Sequence, residues 1–184
     1  MKPMLAELVT FIKNPMLQKD PNTSRSYRLQ KFKYLLVISI ITGALLTPLF
    51  SLIESLNLVD MENHAMEQLM KEQSIWAITI LAVVVAPLIE ELIFRGPLSL
   101  FKNGNAFKIA FYAFALLFGL VHITNFEITR NVLLLTPILI APQAILGLYL
   151  GFIRVRFGLR WSILLHATYN AFFMGFALLT DYLL

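Results

Sequence analysis

The chain alternates between long apolar stretches and short segments that hold most of its charged residues. A membrane-spanning helix needs ~20 predominantly apolar residues. The pattern therefore predicts an all-α integral membrane protein with about five transmembrane helices. The predicted apolar stretches are 34–56, 75–89, 106–122, 132–153 and a last one from Trp161 to the C-terminus. Pro137 and Pro142 are expected to kink the fourth span or to split it, which would give six helices.

The first 33 residues form a basic segment ahead of a transmembrane domain that we place at 34–184. Near its start, apolar residues recur at helical spacing between Pro3 and Asn14-Pro15, which predicts an amphipathic helix at the membrane interface. The apolar face of that helix would consist of Met4, Leu5, Leu8, Phe11 and Ile12. The connection between the first two spans is interpreted equally well as a second amphipathic segment or as a solvated connector. The residues that suggest the former are Met61, Met66, Leu69 and Met70.

The composition is typical of a membrane protein, and it excludes several kinds of structural and catalytic site. Hydrophobic residues make up 58% of the chain and charged residues 14%, whereas soluble domains carry roughly 25% charged residues. The chain contains no cysteine, which excludes a disulfide scaffold, a thiolate zinc site and a cysteine nucleophile. The net charge of +4 is attributed to membrane topology and anionic lipid, and no nucleic-acid partner is expected.

The distribution of lysine and arginine predicts the orientation. Of the 15 Lys and Arg residues, all but Lys71 and Arg130 fall in the N-terminal segment or in the second-to-third and fourth-to-fifth connections. Cytoplasmic loops are enriched in these residues. We therefore expect the N-terminus to be cytoplasmic and the C-terminus external.

Charged residues inside the second span are the first candidates for function. Ionisable side chains within a membrane helix cost roughly 2.5–3.5 kcal/mol each on insertion scales, and they mark functional sites by default. Glu91 and Arg95 are spaced i, i+4 and can pair on one helix face, which favours an architectural role. Glu90 lies about 100° away on the helix. It is interpreted either as a general base, because a carboxylate removed from water is a competent base near neutral pH, or as a residue at the water boundary.

Two further spans contain histidine. His122 ends the third span. A single histidine near a helix end is more often a hydrogen-bonded polar residue than a catalyst. Gly119 permits close helix packing beside it. His166 and Asn170 share one face of the fifth span, either as packing partners or as donors directed at a ligand. The helical rise places these groups and Glu90 at similar depth, which predicts one polar pocket inside the bilayer. His64 is interpreted as a surface residue.

The residue inventory excludes several hydrolytic mechanisms. No histidine is followed by glutamate, which excludes the His-Glu-x-x-His zinc motif. Asp20, Asp60 and Asp181 lie in loops or near chain ends, so no pair of aspartates within the spans is available for an aspartyl mechanism. Ser99 and Ser162 have no adjacent glycine, so the Gly-x-Ser-Gly setting of a serine mechanism is absent from the sequence. The remaining set, a glutamate with two histidines and an asparagine, can activate water and stabilise an oxyanion without a covalent intermediate.

These residues resemble a known family. Glu90-Glu91-x-x-x-Arg95, Phe118-x-x-x-His122 and His166-x-x-x-Asn170 are similar to the three motifs of the CAAX-processing and bacteriocin-processing (CPBP, or Abi) intramembrane endopeptidases. The resemblance covers residue 75 to the C-terminus. It implies a helical membrane fold with a cavity open to the cytosol.

The resemblance also implies roles for individual residues. Glu90 and His122 would hold and activate the attacking water, and His166 and Asn170 would stabilise the oxyanion. Glu91, Arg95 and Phe118 would support the site.

No cofactor is expected under this interpretation. The alternative is zinc, for which the ligands would be Glu90, His122 and His166. The expected partners are the lipid bilayer and a membrane-associated peptide or protein substrate, and the expected location is the bacterial cell membrane. Two other classes are alternatives. A small proton-coupled transporter would also bury such charges, but the chain lacks repeat symmetry and has few helices for alternating access, and a non-catalytic immunity or binding protein would keep the polar core for packing.

Overall fold

The structure is a computed structural model that describes residues 1–61 and 64–183. Within these ranges all regular secondary structure is helical, and five segments are long and apolar enough to cross a membrane. This confirms the predicted fold class. The five segments are Arg25–Ser55, Ile75–Leu100, Gly104–Asn125, Arg130–Phe157 and Leu159–Leu179.

The helices of the described ranges follow the order of the predicted spans. The α-helices are α1 (Lys2–Lys13), α2 (Arg25–Ser55), α3 (Ala65–Glu72), α4 (Ile75–Ile80), α5 (Ala86–Phe94), α6 (Gly104–Val121), α7 (Arg130–Leu139), α8 (Ala141–Phe157) and α9 (Leu159–Leu183). A π-helical segment, Leu81–Val85, joins α4 to α5, and 3-10 turns follow α5 at Pro97–Leu100 and α6 at His122–Asn125. The second span is thus a composite of three helical types.

The N-terminal helix α1 has one face buried against the membrane-spanning helices and another face exposed. Met4, Leu8 and Phe11 are buried in the core, whereas Leu5 is 47% exposed. The Phe11 ring makes edge contacts with core aromatic rings at 5.1 and 5.4 Å. The predicted helix is therefore present, but part of its predicted lipid-facing surface is covered by the spans themselves.

Helix α2 begins at Arg25, nine residues before the predicted apolar stretch. Its polar first turns are helical because they pack on α1: Lys31 pairs with Glu7 of α1, and Phe32 is buried. Hydropathy marks the part of a helix that lies in lipid, and it does not detect a helix that continues beyond the membrane.

The fourth span breaks near its middle, as its prolines predict. Helix α7 ends at Leu139 and α8 begins at Ala141, with Pro137 inside the former and Pro142 in the first turn of the latter. The two helices together form a single span of 28 residues. The connection before α4 contains α3, and the side chains of Met66 and Met70 lie outside the described structure.

Small residues bring α6 and α8 together. A Cβ atom added to Gly119 would lie 3.0 Å from Ala144 Cβ, and one added to Gly147 would lie 3.1 Å from Ala115 Cα. Such distances are shorter than most real Cβ contacts, so a side chain at either position would require the neighbouring helix to shift, and glycine permits the close approach. This packing fixes the end of α6, where His122 lies, against the first half of α8.

Contacts gather the basic segments at one end of the molecule, which we call the basic end. The Asp20 amide donates to the Arg156 carbonyl oxygen (3.1 Å), and Arg156 Nη1 donates to the Gln18 carbonyl oxygen (3.3 Å). Tyr112 of α6 donates its hydroxyl to the Ile12 carbonyl oxygen (2.6 Å). The opposite end holds a smaller apolar cluster: Ile53, Val59, Phe126, Val132 and Leu139.

Candidate active site

The predicted polar residues converge on one cavity. Glu90 is presented by α5, His122 by the turn after α6, and His166 and Asn170 by α9. All four line a cavity of about 510 Å³. The structure therefore places together the residues that the sequence predicts to meet, although their roles remain predictions.

The Glu91–Arg95 ion pair lies beneath this cavity. Arg95 Nη1 is 3.2 Å from Glu91 Oε1, and the side chains are 1% and 0% exposed. The guanidinium also stacks over the Phe118 ring, 4.0 Å from its centroid. A Cβ on Gly147 would lie 3.1 Å from Arg95 Nη2, so glycine at this position makes room for the cation. Pairing and a cation–π contact offset part of the cost of burying both charges.

Glu91 also connects α5 to α9. Its Oε2 accepts a hydrogen bond from the Ser162 hydroxyl, and its Oε1 lies 3.1 Å from His166 Nδ1. Ser162 is fully buried, and its hydroxyl also lies 3.0 Å from the Leu150 carbonyl oxygen. Sequence analysis considered Ser162 only as a nucleophile. Its i, i+4 spacing from His166 was the signal that it shares the face of the site.

Glu90 occupies a different environment from its neighbour. It is 26% exposed, and its Oε2 lies 3.7 Å from His166 Nε2. The His166 ring thus has one nitrogen toward Glu91 and the other toward Glu90. Because the two carboxylates leave the helix in different directions, Glu91 is enclosed by protein while Glu90 faces the cavity.

The orientation of His122 is fixed by the backbone of its own helix. His122 Nδ1 is 2.7 Å from the Phe118 carbonyl oxygen. A carbonyl oxygen only accepts, so Nδ1 carries the hydrogen and Nε2 of the neutral ring keeps a lone pair. The Phe118 ring makes edge contacts with His122 and His166, with centroids 4.9 and 5.5 Å apart. Phe118 therefore packs against both imidazoles.

Asn170 satisfies a backbone carbonyl that the π-helical segment leaves open. The Ala86 amide donates to the Leu81 carbonyl oxygen, as a π turn requires. The next such bond would need an amide hydrogen at Pro87, and proline has none. The Ala82 carbonyl oxygen instead accepts from Asn170 Nδ2 at 2.8 Å. One of the two amide hydrogens of Asn170 is thereby used.

A polar residue that sequence analysis missed lies across the cavity. Gln143 lines it from α8, and its buried Oε1 has no hydrogen-bond partner among the described residues. A glutamine in an apolar span is unusual, and that alone could have singled it out. His64, which was interpreted as a surface residue, is half-buried, lines the same cavity and contacts Phe126 (ring centroids 4.8 Å apart).

The site does not present an assembled metal-binding set. Among the described residues, no group of three His, Asp or Glu side chains is arranged to hold a metal ion. Of the alternative zinc ligands, His122 directs Nδ1 to a backbone carbonyl and His166 directs Nδ1 to Glu91. Each ring thereby keeps Nε2 for the cavity, and bonds of this kind also hold zinc-ligating histidines, so zinc stays the alternative to a mechanism without a cofactor.

Comparison with known proteins identifies a family. The family model described as type II CAAX prenyl endopeptidase Rce1-like matches residues 72–172, which is more than half of the chain. The matched range contains Glu90, His122, His166 and Asn170. No curated protein and no solved structure matches the chain.

Proposed function

The chain belongs to the Rce1-like family of type II CAAX prenyl endopeptidases, and from this premise we propose that it hydrolyses peptide bonds of membrane-associated substrates with a water activated by Glu90. At the family level the activity is that of an intramembrane CAAX-type endopeptidase. One observation carries the finer proposal: Glu90, partly exposed, faces the same cavity as two imidazoles whose orientations are fixed by other groups.

The water site follows from the acceptors at the cavity. Glu90 offers a carboxylate, and the neutral His122 ring offers the lone pair of Nε2. A water molecule has two hydrogens to donate, so it can bond to both acceptors and direct an oxygen lone pair at a substrate carbonyl carbon. A carboxylate in a low-dielectric cavity is a competent general base.

Two donors are proposed for the oxyanion. His166 places Nε2 toward the cavity, and it can donate from there when that nitrogen is protonated. Asn170 has a second amide hydrogen beyond the one that it gives to the Ala82 carbonyl. Preorganised donors of this kind, held in place by other bonds, stabilise developing charge without reorganisation.

The proposed reaction transfers one proton through Glu90. The water oxygen bonds to the carbonyl carbon while its proton moves to the Glu90 carboxylate, and the carbonyl oxygen becomes the oxyanion. Glu90 then returns the proton to the amide nitrogen, the C–N bond breaks, and a carboxylic acid and an amine leave. No side chain becomes covalently bonded to substrate.

The test compares peptides from membranes that carry the wild type, Glu90→Gln or Glu127→Gln. Glu127 is exposed and lies outside the cavity lining, so it provides a matched control for loss of one carboxylate. Mass spectrometry should find peptides with new termini in the wild type and in Glu127→Gln. The same peptides in Glu90→Gln membranes would refute the assignment of the base.

A further inference from the structure

The side chain of Gln143 lies in a wall that two cavities share. Gln143 belongs to the first turn of α8 and lines the active-site cavity together with Glu90 and His122. It also lines a smaller cavity of about 190 Å³. The apolar walls of the smaller cavity are Phe50, Met61, Phe126 and Leu139. His64 and Asn125, like Gln143, line both cavities. These three residues form a polar boundary between the active site and an apolar space.

The packing of α8 on α6 places Gln143 beside the catalytic cluster. Its neighbour Ala144 packs against Gly119 in the last turn of α6. Gly147 is four positions after Gln143, on the same face of α8, and it lies against Arg95. Four residues of helix span about 6 Å. Gln143 is therefore one helical turn away from the contact with the motif arginine.

The carboxamide oxygen of Gln143 is buried without a donor. Its Oε1 makes no hydrogen bond with any described residue. Buried polar groups are nearly always paired in folded proteins, because an unpaired group loses its bonds to water without replacement. An unpaired acceptor in the wall of an active site therefore points to a donor that a ligand supplies.

The proposed reaction indicates which donor this is. Glu90 and His122 are proposed to hold the water, and His166 and Asn170 to donate to the carbonyl oxygen. None of these groups is assigned to accept a hydrogen bond from the substrate backbone. A peptide carries an N–H at every residue except proline, and in an apolar cavity these donors need acceptors. Gln143 Oε1 is an acceptor that the mechanism has not used.

We infer that Gln143 binds the substrate, with its Oε1 accepting a hydrogen bond from a backbone N–H of the peptide outside the scissile bond. This inference rests on the proposed function. The bond acts on the bound peptide in the ground state and in the transition state alike, because the N–H that it holds takes no part in the reaction. Its loss should therefore raise KM and leave kcat nearly unchanged.

Arg95 offers the structural alternative. Its Nη2 also has no hydrogen-bond partner within the part of the chain that the structure describes, and it lies against Gly147, one turn from Gln143. A bond between Gln143 and Arg95 would make the glutamine a support of the Glu91–Arg95 pair. Removing such a support would lower stability, whereas removing an unpaired acceptor would not.

The test uses purified protein in detergent and the synthetic peptide that spans a cleavage found in wild-type membranes. Gln143→Met removes the acceptor and keeps an unbranched side chain of similar length. Gln30→Met is the matched control, because Gln30 is exposed on α2 and lies outside both cavities. Thermal unfolding without peptide measures stability, and initial rates over a range of peptide concentrations give KM and kcat. A second series replaces the backbone amides outside the scissile bond, one at a time, with esters, which have no N–H to donate.

Gln143→Met should unfold at or above the wild-type temperature and raise KM about tenfold, with kcat within about threefold of the wild type. Gln30→Met should match the wild type in both constants. One ester position should raise the KM of the wild type by a similar factor and have no further effect in Gln143→Met, because both changes remove the same bond.

A lower unfolding temperature of Gln143→Met would overturn the inference in favour of the structural role. An unchanged KM of this variant would also overturn it, and so would a wild type whose KM no ester position raises. If Glu90→Gln is inactive while Gln143→Met keeps the wild-type KM, the proposed function stands and this inference alone fails. Cleavage by Glu90→Gln would refute the base and leave the Gln143 comparison valid, whereas wild-type membranes without any cleaved peptide would refute both proposals.

Discussion

Asn170 Nδ2 donates a hydrogen bond to the Ala82 carbonyl oxygen across 2.8 Å, and this bond joins a motif residue of α9 to the π-helical segment of the second span. The bond exists because Pro87 cannot supply the amide hydrogen that the π register calls for. Asn170 therefore has a structural partner in addition to its proposed catalytic one. The two contributions can be separated experimentally.

Replacing Asn170 with alanine should reduce both stability and activity. The lost bond leaves a carbonyl without its partner, which costs about 1–3 kcal/mol of unfolding free energy. Loss of an oxyanion donor should lower turnover by about 10²–10³-fold. Pro87→Ala supplies an amide hydrogen near Ala82, so the double variant should regain stability in a thermal-unfolding assay while turnover stays low. Turnover that returns together with stability would assign Asn170 a structural role alone.

Arg95 and Glu90 should respond differently to substitution. Arg95→Ala leaves Glu91 buried without its cation, which costs about 3–5 kcal/mol, and the yield of folded protein in detergent should fall accordingly. Glu90→Gln is nearly isosteric and keeps a polar group at the partly exposed position, so its yield should match the wild type. A comparable loss of folded protein in both variants would make Glu90 structural as well.

Metal removal distinguishes the glutamate mechanism from the zinc alternative. Exhaustive chelation should leave cleavage at its full rate, since the proposed steps use only Glu90, His122, His166 and Asn170. Fluorophosphonate and alkylating reagents should also have no effect, because no serine or cysteine nucleophile is involved. A chelated protein that is folded, inactive and restored by added zinc would instead establish the metal mechanism.

Topology is tested by reporter fusions. The lysine and arginine distribution and the five spans predict that reporters at Lys31 and after the last residue, Leu184, lie on opposite sides of the membrane, with Lys31 cytoplasmic. Leu184 itself is outside the described residues. Reporters on the same side would require an even number of crossings.

Much of this architecture could be predicted because a membrane restricts the structures that a spanning segment can adopt. Spans must be apolar and helical, so the five spans and the break near Pro137 and Pro142 follow from the pattern. The i, i+4 spacing of Glu91 and Arg95 predicts their pair, and the structure contains it. Convergence of Glu90, His122, His166 and Asn170 was inferred from depth along the helices, and the cavity lining agrees with it.

Other features depend on tertiary contacts that no local pattern specifies. The π register at Leu81–Val85 is supported by an asparagine 88 positions from its carbonyl partner. The interfacial face predicted for α1 is partly covered, because hydropathy does not distinguish burial in lipid from burial in protein. Likewise, the hydrogen bond of Ser162 to Glu91 and the place of Gln143 in the cavity wall depend on the helices packed against them.

The most direct test of the central claim is the cleavage rate of an identified peptide substrate by purified protein in vesicles. The wild type and Glu127→Gln should cleave at similar rates, with one oxygen from labelled water in each new carboxyl group. Glu90→Gln, shown to be folded by thermal unfolding, should be slower by at least about 10²-fold, because general-base catalysis typically contributes 10²–10⁴-fold. A folded Glu90→Gln protein that cleaves the same bond within tenfold of the wild-type rate would contradict the proposal that Glu90 activates the water.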